Sequence, residues 1–179
     1  MVAWLRWLRR WPAGAACLWW LCATGPVLAA LDEAEVKAAI VYNLLQFVEW
    51  PEAQPAGKAF VLCLRATSVL AVPLQKLAGQ PVRSAALEVR LLAGGETRGC
   101  HVAYADGNDA ERLTLLRRLR GDNEPFVIAD RAAVTEDSTA IQLRWVDNRI
   151  AFEVNLAAVK RSGAQVSSRV LRLAKVVRE

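Results

Sequence analysis

Residues 37–51, KAAIVYNLLQFVEWP, carry the clearest structural signal in the sequence. Apolar side chains recur there at spacings of three and four residues, which is the period of one helical face. Asp32 and Glu35 are placed as a capping box for this helix, and Pro51 ends it because proline cannot continue a helix. Asn43 lies within the apolar stripe, so we expect a buried amide that needs hydrogen-bond partners. The predicted stripe consists of Val36, Ala39, Ile40, Asn43, Leu44 and Phe47.

Residues 1–30 have the organisation of a secretory signal. Arg6, Arg9 and Arg10 precede an apolar run over 13–21, and small residues follow up to Ala30. The apolar run is short for a membrane span, and an uncleaved anchor is the alternative. We therefore predict a signal peptide over 1–30 and a single exported domain over 31–179.

Removal of this leader changes the charge of the protein. The whole chain has 23 Lys and Arg residues against 18 Asp and Glu, which gives a net charge of +5. Without Arg6, Arg9 and Arg10 the balance becomes 20 against 18, a net charge of +2. The basic character therefore belongs mostly to targeting, and nucleic-acid binding loses its main electrostatic support.

Cys63 and Cys100 remain after the signal peptide is removed, and both lie in apolar, strand-like runs. An even pair of cysteines in an exported protein predicts a disulfide. The alternative is two buried thiols that never meet. Neither cysteine has a CxxC partner, so we expect no catalytic redox role.

Short apolar runs alternate with helical segments along the middle of the chain. Strands are predicted over 59–64, 87–92, 100–105 and 125–130, and helices over 69–78 and after Asp106 or Asp109. Such alternation is typical of a mostly parallel sheet that is covered by helices on both sides. The segments 139–145 and 149–154 alternate apolar and polar residues around an Asp-Asn turn, which predicts an antiparallel hairpin.

The last third of the chain contains two predicted helix starts. Asn155 is a candidate cap for residues 156–161, and Ser167 or Ser168 for a final helix whose Val170, Leu171 and Ala174 face inward. The predicted fold class is therefore α/β. It is a single three-layer α/β/α domain with a mostly parallel sheet, a C-terminal antiparallel hairpin and an N-terminal helix.

Candidate catalytic groups are sparse. His101 is the one histidine in the sequence and lies inside a predicted strand, which favours a structural role. Gly94 and Gly95 lack the Gly-Lys-Ser/Thr of a phosphate loop, and no residues have metal-ligand spacing. We therefore predict neither catalysis nor a cofactor. An enzyme would require a cleft in which His101 meets a carboxylate.

Polar side chains stand in apolar surroundings at both ends of the chain, and they allow two interpretations. The first is a buried network that locks the first helix onto the hairpin and the last helix. This structural clasp would consist of Asn43, Phe152, Asn155, Ser167 and Ser168. The second is a surface for another protein, for which the candidates are Tyr42, Gln46, Glu49, Trp50, Glu153 and Arg169.

The two end motifs resemble the signatures of the YfiR family of bacterial periplasmic proteins. The first is KAAIVYNLLQFVEWP, and the second is IAFEVNLAAVKRSGAQVSSRVLRLAKVV over residues 150–177. Cys63 and Cys100 also lie where such proteins carry a cysteine pair. The chain departs from the family over 131–140, which lacks the usual Gly-Phe and Gly-Gly steps, and it lacks a second cysteine pair near the hairpin.

The resemblance implies a periplasmic repressor. Such proteins bind the periplasmic sensor portion of an inner-membrane diguanylate cyclase and hold it inactive, which lowers cyclic-di-GMP signalling and biofilm formation. The resemblance also implies a homodimer and an outer-membrane lipoprotein that sequesters the repressor. A repressor needs no catalytic residue, only different affinities for two states of its target. The alternative is a periplasmic small-molecule-binding module with a pocket lined by Tyr42, Trp50, Arg149 and Phe152.

Overall fold

The computed structural model describes residues 32–50, 59–92, 98–106, 115, 124–130, 137–147 and 149–179. Several features of the sequence lie outside these residues: the predicted signal peptide, Gly94 and Gly95, most of the predicted helix after Asp106, and the first part of the divergent segment over 131–140. Within the described ranges, no helix is both long enough and apolar enough to cross a bilayer.

Helices and strands alternate through most of the described chain. In chain order the elements are α1 (Glu33–Phe47), β1 (Val48–Glu49), β2 (Phe60–Arg65), α2 (Ala71–Gln75), β3 (Pro81–Val82), β4 (Ala85–Leu92), β5 (Val102–Ala105), β6 (Phe126–Asp130), β7 (Ile141–Val146), β8 (Arg149–Asn155), α3 (Leu156–Arg161), β9 (Gln165–Val166), α4 (Ser168–Leu173) and β10 (Val176–Arg178).

The central sheet has eight strands in the order β10-β8-β7-β6-β5-β2-β4-β3. The neighbouring strands run parallel except for the antiparallel pairs β7–β8 and β3–β4. This confirms the predicted α/β class with its N-terminal helix and C-terminal antiparallel pair. β4 and β5 lie on opposite sides of β2, so the strand order reverses beside β2. The carboxyl ends of strands at such a switch point form the usual ligand crevice of open α/β sheets.

Apolar side chains fill both faces of the sheet. Successive residues of a strand point to opposite faces. Accordingly, Val102 and Tyr104 of β5 belong to the large core beneath α1, whereas Ala103 and Ala105 pack with Leu115 on the other face. Burial on both faces explains why the central parallel strands read as continuous apolar runs.

Helix α1 buries a different side from the predicted one. Its buried residues are Lys37, Ala38, Val41, Leu44 and Leu45. Asn43 and Phe47 are exposed, so the prediction of a buried amide at Asn43 is wrong. The helix is apolar on more than one side. Because Lys37 is charged, the side that contains it was expected to face solvent, although it is the side that is buried. An ion pair allows that lysine to lie inside.

The predicted N-cap of α1 is present, but the predicted capping box and the predicted end of the helix are not. Asp32 caps the helix by accepting a hydrogen bond from the Ala34 N–H at 3.1 Å, as expected. Glu35 does not complete a capping box, because its carboxylate bonds Lys76 Nζ at 2.7 Å. The helix ends at Phe47, four residues before Pro51, because the backbone adopts an extended conformation at Val48, where β1 begins.

The C-terminal hairpin and helices follow the prediction with one exception. Asp147 has a positive φ of 48° in the hairpin turn, as an Asp-Asn turn requires; Asn148 lies outside the described residues. α3 covers the predicted residues. α4 ends at Leu173, so Ala174 lies beyond it, and Val176–Arg178 forms β10 beside β8 instead of a further helical turn. Two consecutive valines favour a strand at this position.

Candidate functional site

A disulfide joins Cys63 and Cys100, whose Cα atoms are 5.7 Å apart. Cys63 is buried in β2, and Cys100 lies two residues before β5, the neighbour of β2. The bridge closes a loop of 37 residues in sequence. The predicted pairing is confirmed, and the alternative of two separate thiols is excluded.

His101 is part of the junction between β2 and β5. Its Nδ1 accepts a hydrogen bond from the Val61 N–H at 2.8 Å, and its ring stacks on Phe60 with ring centroids 5.3 Å apart. Burial lowers the pKa of His101, and the positive charge of Arg90 lowers it further. The ring therefore serves the sheet as a neutral hydrogen-bond acceptor, which agrees with the structural role expected for it.

The two end motifs of the sequence meet in space at the end of α1. β1 pairs with β9 in an antiparallel two-stranded ribbon, with Val48 opposite Val166. The Ser167 N–H donates to the Phe47 carbonyl at 3.4 Å, and the Arg169 guanidinium lies 5.7 Å from the centre of the Phe47 ring. Main-chain pairing and a cation–π contact therefore connect the first helix to the C-terminal segment.

The residues predicted to form a structural clasp have mostly local roles. Asn155 and Ser167 cap α3 and α4 by accepting hydrogen bonds from the first turn of each helix. Ser168 Oγ accepts from Arg172 at 3.4 Å, and Phe152 packs against the core while its carbonyl accepts from Lys175 N–H. The Asn43 side chain forms no hydrogen bond with any residue that the structure describes.

Two of the predicted surface residues, Trp50 and Glu153, are committed to the fold. The ring of Trp50 packs edge-on against Phe60 and Phe126, at centroid distances of 4.9 and 5.3 Å. The Glu153 carboxylate bonds Arg144 Nε and Arg178 Nη2, each at 2.7 Å. Trp50 is therefore half-buried against the core, and Glu153 joins β7, β8 and β10.

Tyr42 and Gln46 lie at the surface but have a shared structural contact. The Tyr42 hydroxyl and the Gln46 amide both donate to the Pro81 carbonyl, at 2.8 and 2.6 Å. Pro81 begins β3, the strand at one end of the sheet. These side chains therefore fix α1 to the edge of the sheet, while Glu49 and Arg169 remain exposed.

The exposed side of α1 forms a continuous stripe, which we call the α1 outer face and define as Ala39, Asn43 and Phe47. A spacing of four residues places the three side chains in one row along the helix. Phe47 is 39% exposed, and Arg169 adds a positive charge at its end of the row. An exposed aromatic ring beside an arginine and an amide is a composition found at protein interfaces.

A second group of polar residues lies where the parallel strands end. We call it the carboxyl-edge cluster. Lys37 Nζ bonds Asp130 Oδ2 at 2.6 Å and Glu33 Oε1 at 2.7 Å. Ser68 Oγ donates to Asp106 Oδ2 at 2.7 Å. The cluster consists of Glu33, Lys37, Arg65, Ser68, Tyr104, Asp106 and Asp130, of which Lys37, Ser68, Tyr104, Asp106 and Asp130 are buried.

Oppositely charged side chains lie next to each other in this cluster and shift the pKa values of its members. Burial alone lowers the pKa of Lys37, but its hydrogen bonds to Asp130 and Glu33 outweigh that effect and the net pKa is raised. Burial raises the pKa of the Tyr104 hydroxyl far above its usual range, and the charges of Asp130 and Asp106 raise it further. Lys37 is therefore charged and Tyr104 neutral at any physiological pH.

The sequence interpretation did not identify the carboxyl-edge cluster. Asp106 directly follows one predicted strand and Asp130 ends another, which is the position at which ligand-binding residues of open α/β sheets lie. Lys37 occurs at helical spacing with Val41 and Leu44. Those positions together are the signal that could have revealed the cluster.

The described part of the structure contains an open groove whose lining differs from that of the pocket expected from the sequence. This groove of about 320 Å³ lies beside α3 and β9, lined by Leu156, Val159, Lys160, Gly163, Ala164, Gln165 and Val166. Tyr42, Trp50, Arg149 and Phe152 are not among its lining residues. Trp50 packs against the core instead.

In a comparison with protein families, the model of a family described as YfiR/HmsC-like matches residues 34–175. The match includes α1, both bridged cysteines, the hairpin and α4. A search of curated proteins found no match.

Proposed function

Because the chain belongs to the YfiR/HmsC-like family, we propose that it binds the periplasmic sensor portion of an inner-membrane diguanylate cyclase and holds the cyclase inactive. The observation that carries this proposal is the family match over residues 34–175. The expected consequence is lower cyclic-di-GMP signalling and less biofilm formation. A signal peptide over 1–30 would deliver the protein to the periplasm, and an outer-membrane lipoprotein would sequester it.

The α1 outer face is the surface that we assign to the cyclase. Phe47 offers apolar area, Arg169 offers positive charge, and Asn43 offers an amide without a hydrogen bond to any described residue. The ribbon of β1 and β9 holds the end of this face in place. A preformed surface avoids part of the entropy that binding would otherwise cost.

Repression requires that the protein bind the inactive state of the cyclase more tightly than the active state. A ligand with equal affinity for both states shifts nothing. A ratio of about a hundredfold between the two affinities corresponds to about 2.7 kcal/mol. One well-packed aromatic and arginine contact that forms in only one state can supply this difference.

Deletion of the gene is the first test. We expect intracellular cyclic-di-GMP and biofilm mass to rise in the deletion strain and to return to their original levels when the gene is restored. Unchanged cyclic-di-GMP in a strain with a functional membrane cyclase that has a periplasmic sensor would refute the repressor assignment.

Asn43→Arg tests the assigned surface. Asn43 is exposed, so a large charged side chain there can block the α1 outer face without disturbing the core. We expect binding to the purified periplasmic portion of the cyclase to fall at least tenfold in calorimetry, with an unchanged melting temperature. Gln75→Arg, the same change at an exposed position of α2, is the matched control and should bind normally. Equal binding by both variants would place the interface elsewhere.

A second candidate function, small-molecule binding, is favoured by the carboxyl-edge cluster. Asp106, Asp130 and Tyr104 place three buried polar side chains at the edge where open α/β sheets bind ligands. A thermal-shift screen with amino acids and nucleotides tests it. A stabilising compound that loses its effect in Tyr104→Phe but not in Tyr42→Phe would place the ligand in this cluster. A screen without stabilising compounds would argue against the module.

A further inference from the structure

Positive charge is concentrated in the last part of the chain. Residues 156–178 contain six Lys and Arg residues and no Asp or Glu, whereas the rest of 31–179 contains 14 Lys and Arg against 18 Asp and Glu. The six are Lys160, Arg161, Arg169, Arg172, Lys175 and Arg178. A surface of one sign attracts partners of the opposite charge. The C-terminal segment is therefore suited to an anionic partner.

Three strands bring part of this segment to one corner of the sheet. β8 is antiparallel to β7 and parallel to β10, so β7 ends at the edge where β8 and β10 begin. Trp145 of β7 pairs with Ile150 of β8, and the Lys175 N–H donates to the Phe152 carbonyl of β8 at 2.8 Å. Leu173 ends α4 two residues before Lys175. Trp145 and Leu173 therefore lie on either side of the first half of β8.

The hairpin extends beyond the strand next to it. Leu143 of β7 pairs with Asp130, the last residue of β6, so Trp145 lies two residues past the end of that strand. Side chains two residues apart in a strand share a face, and Leu143 packs in the same core as Val170 of α4. The Trp145 ring therefore lies at the rim of the sheet, on the face that carries α4.

Apolar and basic side chains are both exposed at this corner. Leu173 is 70% exposed and Trp145 is 41% exposed. Arg149, at the start of β8, and Arg172 and Lys175, on either side of Leu173, are exposed as well. We call these five residues the corner surface. Tryptophan favours the boundary between water and lipid, and exposed apolar groups among Lys and Arg are typical of proteins that lie on anionic membranes.

The acidic residues near this corner are few among those that the structure describes. Asp147 is exposed in the hairpin turn and offsets one of the three basic charges. Glu153 is paired with Arg144 and Arg178, and Glu179 lies beyond the other end of β10. The acidic first turn of α1 lies at β6, two strands away from β8. The corner surface therefore keeps an excess of positive charge.

We propose that the corner surface docks this protein on a bilayer of anionic phospholipid, with Trp145 and Leu173 at the level of the headgroups and the three basic side chains against the phosphates. This goes beyond the proposed repressor function and does not depend on it. Side chains that project from a rim suit a fluid bilayer, which adapts to their shape. An acidic protein would need preformed pockets for both apolar anchors.

Vesicle flotation tests the docking. Protein purified from the periplasm should float with vesicles of mixed phosphatidylglycerol and phosphatidylcholine, but not with vesicles of phosphatidylcholine alone. An increase from about 0.1 M to about 1 M salt should release it, because the Debye length falls from about 10 Å to about 3 Å. Absence from the anionic vesicles at the lower salt, or equal binding to both kinds of vesicle, would overturn the proposal. Vesicles contain no cyclase, so this result is independent of the repressor function.

Charge reversal tests which surface docks. Arg172→Glu, Lys175→Glu should lower the partition coefficient at least about twentyfold, because each basic residue at an anionic surface strengthens binding about fivefold. Arg83→Glu, Arg98→Glu is the matched control. It changes the net charge equally at exposed positions before β4 and β5, at the opposite edge of the sheet.

The control should bind within about threefold of the original protein, because that edge lies more than a Debye length from the bilayer. Both double variants share any leader sequence with the original protein, so a leader cannot produce the difference between them. Equal losses in the two double variants would refute the assignment of this surface.

The two apolar anchors have their own readouts. Trp50 and Trp145 are the two tryptophans of residues 31–179. Anionic vesicles should shift the emission of the original protein to shorter wavelength, and the shift should be lost in Trp145→Phe. Leu173→Ser should weaken binding about tenfold, whereas Val72→Ser, at an exposed valine of α2, should not. A shift that persists in Trp145→Phe, or equal binding by the two serine variants, would contradict the docked orientation.

Discussion

Lys37 is a buried charge whose contribution to stability depends on its partners. Its ammonium lies between Asp130 and Glu33, and its side chain is 6% exposed. Lys37→Met would leave the buried Asp130 carboxylate without its cation, and removing one partner of a buried ion pair typically costs about 3–5 kcal/mol. We expect a loss of about 3–4 kcal/mol in urea unfolding.

A double variant provides the control for this prediction. In Lys37→Met, Asp130→Leu both charges are replaced by apolar groups, so no carboxylate remains buried alone. Stability should recover most of the loss, because apolar replacement of a complete buried pair is often neutral. If Lys37→Met alone proved as stable as the original protein, the ion pair would have no role in the fold.

His101 should make stability depend on pH in a specific window. Burial lowers its pKa in the folded protein below 6.5, so between that pKa and 6.5 the unfolded chain binds more protons than the folded one. The stability from the neutral ring is complete above pH 6.5 and decreases as the pH falls below it, by at most about 1.4 kcal/mol per pH unit. Melting temperatures between pH 5 and 8 measure this loss.

His101→Asn is the matched variant, because its amide oxygen can accept from the Val61 N–H but does not titrate in this range. We expect its melting temperature to change less between pH 8 and 5 than that of the original protein. Identical pH profiles would show that other groups cause the acid sensitivity.

Asn43 and Lys37 show why residue-level prediction failed on α1. The helix has apolar residues on two sides, and each side also contains one polar residue, Lys37 or Asn43. The sequence interpretation therefore placed the lysine in solvent and buried the amide. In the structure the lysine is buried and the amide is exposed, because Asp130, 93 positions away in sequence, neutralises the lysine. A partner so distant cannot be identified from helical spacing.

At the scale of elements, the disulfide fastens β2 to the segment before β5. Cys63→Ser should lower stability by about 3–4 kcal/mol in the chain-entropy model, because the reduced chain regains the freedom of a loop of 37 residues. The far-UV circular dichroism should stay the same, because the sheet has its own ladder there. A melting temperature that did not change on reduction would contradict this.

The elements that were predicted correctly differ physically from those that were missed. β2, β5 and β6 are buried on both faces, so each reads as a continuous apolar run. β1, β3, β9 and β10 have two or three residues each. Such short strands exist only because a partner is present, and partners such as β8 for β10 are set by the tertiary fold rather than by local pattern.

At the scale of the whole molecule, the sequence was most informative about fold class and family. Alternation of strands and helices predicted the α/β sheet, and the two end motifs predicted the family that the comparison shows. The candidate site was predicted less well. Trp50 and Glu153 proved to be structural. The carboxyl-edge cluster was not identified because its members come from α1, from β2, β5 and β6 and from the residues just after β2 and β5, which only the folded chain brings together.

The ribbon of β1 and β9 has a consequence for how the protein matures. Val48 pairs with Val166, more than a hundred positions later, so α1 cannot reach its final place until almost the whole chain has emerged. Contacts so distant in sequence form slowly. An exported chain that must stay unfolded while crossing a membrane benefits from this delay. The two chain ends are therefore expected to pair late in folding, and α1 lacks this partner until then.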